Sequence, residues 1–151
     1  MLWLRSYLRD GERHLKAAEV LFENELYDYS VREAYMSMLH NIDALLLTEG
    51  IRTTKSHAAI AFFGRKFVKE KIYPISIYEH LLISYAENRI AMSEFGETIS
   101  RGEAEYLLNY AREFGDLVAY LREFKAMPNH QPAELSPTKT PDTEGGETDE
   151  Q

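Results

Sequence analysis

The sequence predicts an all-α protein, an up-and-down antiparallel bundle of about five helices. Two observations carry this reading. Apolar residues recur every three or four positions through residue 124, the period of a helix with one buried stripe, and nowhere alternate as in a half-buried strand. Three of these runs open with Ser-x-x-Glu, a pattern in which serine and glutamate reciprocally satisfy free amides at a helix start. Helices with one apolar stripe must bury it against one another, which gives a bundle. A chain of 151 residues suits one domain.

The first run places Leu4, Leu8, Gly11, Leu15, Ala18 and Phe22 on one stripe, with Gly11 as a close contact or a kink. The second opens at Ser30 with Glu33, carries Val31, Ala34, Tyr35, Met38, Ile42 and Leu45, and stops at Gly50. The third starts with Ser56 as N-cap and runs through Ile60, Phe63 and Phe67 until Pro74 breaks it. The fourth opens at Ser76 with Glu79, carries Leu81, Leu82, Tyr85, Met92 and Phe95, and ends at Gly96. The fifth opens at Ser100 with Glu103 and runs through Leu107, Ala111, Phe114, Val118, Leu121 and Phe124 towards Pro128. The expected organisation is a bundle over residues 1–126 followed by a disordered tail over 127–151. That tail is rich in proline, threonine, glycine and acids and has too few apolar residues to offset its ordering entropy.

The formal net charge of −8 argues against a protein that coats nucleic acid indiscriminately. Its distribution leaves room for one basic face. The tail sets six acids against Lys139, whereas residues 52–71 set Arg52, Lys55, Arg65, Lys66, Lys69 and Lys71 against Glu70 alone. The chain has no cysteine, which excludes disulfides and cysteine–zinc sites and fits a reducing cytoplasm. The opening "MLWLRSYLRDGERHL" is apolar only every third or fourth residue, so no signal peptide is expected, and no stretch approaches a membrane span. Glu79-His80 lacks the second histidine of a zinc helix, and there is no glycine-rich phosphate loop or serine elbow, so no metal or cofactor is expected.

The segment "HLKAAEVLFENELYDYSVREAYMSMLHNIDALLLTEG" resembles the first two helices of HEPN domains (higher eukaryotes and prokaryotes nucleotide-binding). The letters that carry the likeness are Leu26-Tyr27, then Ala34, Tyr35, Met38, His40, Ala44-Leu45-Leu46 and Gly50; Met36 and Ser37 depart from the usual Tyr-Ala. "KSHAAIAFFGRKFV", "AENRIAMSEFG" and "EAEYLLNYAREFGDLVAYL" resemble the family's later segments, so the likeness spans roughly residues 11–124. The resemblance implies a helical bundle that pairs as a homodimer. Many members are metal-independent RNases of toxin–antitoxin systems, and others bind nucleotides or pair with a small nucleotidyltransferase. The RNase members carry an arginine and, four to six residues on, a histidine. The histidine moves the 2′-hydroxyl proton and the arginine stabilises the phosphorane.

In the helix where the family holds that pair, this chain offers Asn88 and Arg89 with no histidine after them, so the RNase motif is degenerate. Two pairs with the right spacing occur elsewhere, Arg9–His14 and Arg52–His57, where chance predicts about one. The segment around Arg52, Lys55 and His57 is first of all a helix start, and its free amides and cations also suit a phosphate. The candidate ligand-binding residues are therefore Arg52, Lys55, His57, Asn88 and Arg89. Arg89, whose partner would be a carboxylate such as Asp43 or a ligand phosphate, is also a catalytic candidate, together with His40 and His57. The leading expectation is a nucleotide- or RNA-binding module acting with a nucleotidyltransferase in a toxin–antitoxin-type system. The rivals are an RNase using Arg89 with a relocated histidine, and a plain protein-interaction bundle.

Overall fold

The computed structural model describes residues 2–93 and 98–125, with side chains at 3–93 and 98–120. Phe95, Gly96, the side chains of Leu121 and Phe124, and the segment 127–151 lie outside the described residues. The elements are α1 (Leu2–Glu23), α2 (Tyr27–Thr48), α3 (Ser56–Phe63) with a π-helical extension (Gly64–Val68), α4 (Ile75–Ala91) and α5 (Arg101–Lys125). The described residues form no strand.

Side-chain pairs fix the directions. His14 meets Glu33, and the Ser30 hydroxyl donates to the Ala18 carbonyl at 2.8 Å, so α1 and α2 run antiparallel. Tyr106 reaches Glu87 and Tyr110 stacks on His80, so α4 and α5 are antiparallel too. Tyr35 packs against Tyr85 while Val31 shares a cluster with Ile90, which makes α2 and α4 antiparallel. Four long helices thus alternate in direction, and α2 sits among α1, α3, α4 and α5. The main core joins Tyr35, Met38 and Ile42 of α2 to Phe63, Phe67 and Tyr73 from the α3 region, Leu81 of α4 and Phe114 of α5. A smaller cluster gathers Val31, Ile99, Ala104 and Leu107.

The stripes of α2 and α5 are buried as their spacing predicts, from Val31 to Leu45 and from Leu107 to Val118. Gly11 is the close contact: a Cβ there would stand 3.0 Å from Asn41 Oδ1. On α4 the apolar residues occupy two faces. Ile77 and Leu81 are buried, whereas Ile75 and Leu82 are exposed, and Met92 is exposed at the helix end. The single-stripe expectation for this helix therefore fails for Leu82 and Met92.

The helix starts divide. At α5 the capping box forms in full: the Ser100 amide donates to Glu103 at 2.7 Å and the Glu103 amide to the Ser100 hydroxyl at 3.1 Å. Ser100→Ala is expected to lower stability by about 1 kcal/mol, read from the shift in thermal or denaturant unfolding. The other two expected boxes do not form. Helix α2 begins three residues before Ser30, whose hydroxyl is buried and committed to Ala18, while Glu33 turns to His14. Helix α4 begins at Ile75 behind Pro74, so Ser76 is already helical. Ser56 is likewise the first residue of α3; Lys55 precedes it as N-cap with no side-chain cap bond.

Three helical ends close alike. Beyond α1, α2 and the π-helical extension, residues 25, 50 and 71 take φ near +60 to +72°, held by paired bonds such as Leu26 N–H to Leu21 O and Ile51 N–H to Leu46 O, both 2.9 Å. These are Schellman turns. Gly50 suits the left-handed position, but Glu25 and Lys71 occupy it without a glycine. Gly64 has a packing role: a Cβ there would stand 2.9 Å from the Tyr78 ring.

Candidate nucleic-acid interface

The loop over residues 49–55 lies against the N-terminal half of α1. Arg52 places its guanidinium 5.0 Å from the centroid of Trp3, a cation–π contact between two exposed side chains. Tyr7, one turn on from Trp3, joins residues 52–55 around an open cavity of about 570 Å³. Lys55 lines the same cavity, and its amide donates to Thr53 Oγ1 at 3.2 Å, which tightens the loop. Two cations and two aromatic rings thus share one surface. That is the composition that grips a single strand, cations for phosphates and ring faces for bases.

Tyr7 also leads to a histidine cluster. Its ring lies 6.1 Å from His40 of α2, and His40 stacks on His14 of α1 at 4.9 Å with the rings nearly parallel. His14 Nδ1 bonds Glu33 Oε2 at 2.5 Å, which fixes the orientation of that imidazole. His40 Nδ1 is buried without a partner among the described residues. Burial, and then the neighbouring His14, lower the pKa of His40, while Asp10 opposes them. The arrangement holds one imidazole against a carboxylate and disfavours a proton on the other.

The remaining candidates are dispersed. His57 is exposed on the first turn of α3 and does not line the cavity beside Arg52. Asn88 donates to the Met92 sulfur at 3.6 Å, at the C-terminal end of α4. Arg89 is exposed, with its guanidinium 6.0 Å from the ring of Tyr85 one turn back, and pairs with no carboxylate among the described residues. Asp43, one of the partners the sequence offered for it, forms no ion pair with it. His40 packs on α1, and α1 does not touch α4 among the described residues, so one subunit does not bring His40 and Arg89 together. Sequence reasoning missed Trp3, Tyr7 and Glu33, and passed over His14 as a chance match. Their signal was the spacing of Trp3, Tyr7 and His14, four and seven residues apart, which places all three on one side of α1.

Asp43 is half-buried on α2, and burial raises its carboxyl from 3.8 to about 6. The unfolded chain loses this proton first, so stability falls as pH rises from 3.8 to about 6, and the penalty is complete above that. Asp43→Asn is expected to stabilise the protein at neutral pH by about 1 kcal/mol, the half-exposed site being partly screened. The gain should vanish below pH 3.8, which denaturant titrations at several pH values would check.

The class these features define is a small all-helical bundle with cations and exposed aromatic rings collected on one loop-and-helix face. Within that class the chain belongs to the HEPN domain family, whose model matches residues 4–123. It is 31% identical over 111 residues to "Putative toxin MJ0142" of Methanocaldococcus jannaschii, covering 74% of this chain and 76% of that one. A second protein of that organism, "Putative toxin MJ0605", is 31% identical over 76% of this chain and 85% of its own. The "UPF0332 protein PH1297" of Pyrococcus horikoshii is 27% identical over 81% of this chain and 86% of its own. No helix among the described residues is long and apolar enough to cross a membrane.

Proposed function

We propose that this protein is an RNA- or nucleotide-binding HEPN module that forms a homodimer and acts with a nucleotidyltransferase partner in a toxin–antitoxin-type system. The observation that carries the binding role is the open cavity where Arg52 and Lys55 meet Tyr7, with Trp3 stacked on Arg52. Phosphates bind at the cations, and bases stack on the rings. The toxin setting draws support from the two relatives whose names carry that word. The nucleotidyltransferase partner follows from the family's usual company and is tested by co-purification.

The homodimer has support in α4. Its outer face carries exposed Ile75, Leu82 and Ile83, flanked by Glu79 and Arg89. An antiparallel two-fold pairing of this face with its copy sets Glu79 of each subunit opposite Arg89 of the other, as a self-complementary interface requires.

A second reading, a metal-independent RNase, is favoured by one feature, the Glu33-held His14 stacked on His40. RNA incubated with the pure protein in excess EDTA discriminates the two. The binding reading expects retarded but intact RNA from both wild type and Arg89→Ala. Cleavage that disappears in Arg89→Ala or His40→Ala would replace it with the RNase reading.

A further inference from the structure

A second cavity, of about 390 Å³, lies between α1, α2 and α5, on a different side of α1 from Trp3 and Tyr7. Asn41 lines it. This residue is only 6% exposed, and its carboxamide has no hydrogen-bond partner among the described residues. The carboxamide opens onto the cavity, so a group that enters can exchange hydrogen bonds with it. Two glycines keep the amide accessible. A Cβ at Gly11 would stand 3.0 Å from Asn41 Oδ1, and one at Gly115 would stand 3.9 Å from Nδ2.

Charge and shape narrow the occupant. Glu12, Glu19 and Asp116 line the cavity against Arg112 alone. The Arg112 guanidinium is already held by Glu19 and by Asn109, each at 3.2 Å. A phosphate or carboxylate would meet two carboxylates that pair with no cation among the described residues, so an anion is disfavoured. The walls include Leu8, Leu15 and Val118, which suit an aliphatic stem.

We propose that this cavity binds an organic cation, an alkylammonium or guanidinium group on an aliphatic stem. Asn41 Oδ1 accepts from its N–H groups, and Glu12 and Asp116 balance its charge. The same chemistry comes from two sources, a free polyamine or an arginine or lysine side chain of a partner protein.

The test is calorimetric titration of the full chain with agmatine, with spermidine and with a capped Ala-Arg-Ala tripeptide. Saturable binding of at least one is expected, weakened about tenfold by Glu12→Gln with Asp116→Asn, a loss that corresponds to about 1.4 kcal/mol. Both substitutions are on exposed residues and leave the core untouched. Asn41→Leu, which removes the accepting Oδ1, should abolish binding, and its helical circular dichroism reports that it still folds. Tighter binding of the tripeptide than of agmatine assigns the partner-protein source, and the reverse order assigns a free amine. Either order supports the site. No saturable binding of any probe would overturn the proposal, as would binding that Asn41→Leu leaves unchanged.

Discussion

Phe63→Ala is expected to bring the protein close to unfolding at room temperature. Phe63 is fully buried, and its ring centroid lies 5.6 Å from Phe67, 5.4 Å from Tyr73 and 5.6 Å from Phe114. These residues tie α3, its π-helical extension, the approach to α4 and the middle of α5 into one cluster. Truncating a buried phenylalanine costs about 3–5 kcal/mol through lost transfer energy and the cavity left behind. The edge-on contact with Phe114 adds about 0.5–1.5 kcal/mol. Set against a total stability of about 5–15 kcal/mol, that is a large fraction. Denaturant unfolding should show a sharply lower midpoint. Val20→Ala, at a position 45% exposed, should stay within about 0.5 kcal/mol of wild type. Equal losses at the two positions would mean that the aromatic cluster does not hold the bundle together.

Arg52→Ala combined with Lys55→Ala should lower affinity for single-stranded RNA by about tenfold or more at low salt. Each cation that leaves a phosphate returns a counterion to the strand, so the log–log salt slope should shrink by about 0.7 per contact, or about 1.4 for the pair. Trp3→Ala should weaken binding by about 1–3 kcal/mol with little change in that slope, because stacking is not a counterion effect. Arg13→Ala with Lys16→Ala is the charge-matched control: both are exposed on α1, and neither lines the cavity. If the control loses as much affinity as the Arg52/Lys55 protein, long-range charge alone governs binding and the cavity has no special role.

Much of the fold was legible because the signals are local. The stripes of α2 and α5 identified their buried faces residue by residue, since a helix repeats every 3.6 residues whatever surrounds it. Gly50 and Ser100 marked a helix end and a helix start because their chemistry acts within one turn. Ser30 shows where local reasoning stops. The tight turn at residues 24–26 starts α2 early enough that Ser30 is already helical and bonds across to α1. On α4 the apolar residues divide between core and solvent, and the order of residues alone does not show which face is which.

The candidate site was legible only in part. Arg52 and Lys55 were found as a basic helix approach, and they line the cavity. His57 was drawn from its spacing to Arg52 and Arg89 from the family resemblance, and both are exposed. Trp3, Tyr7, His14 and Glu33 join the site because α1 packs antiparallel on α2 and the 49–55 loop reaches α1. Asn41 and the two glycines that face it lie on three helices far apart in the chain.

By itself the sequence determined an all-helical bundle of the HEPN family, the buried faces of α2 and α5, and a basic stretch beginning at Arg52. Those properties depend on interactions within a few residues of chain or on composition, which position along the chain records. The tertiary structure alone decided that Trp3 and Tyr7 stand beside Arg52, that Glu33 holds His14 against His40, and that Asn41 faces an acidic cavity. Each of those pairings closes a long stretch of chain, and only the burial of the helix stripes against one another makes that closure favourable.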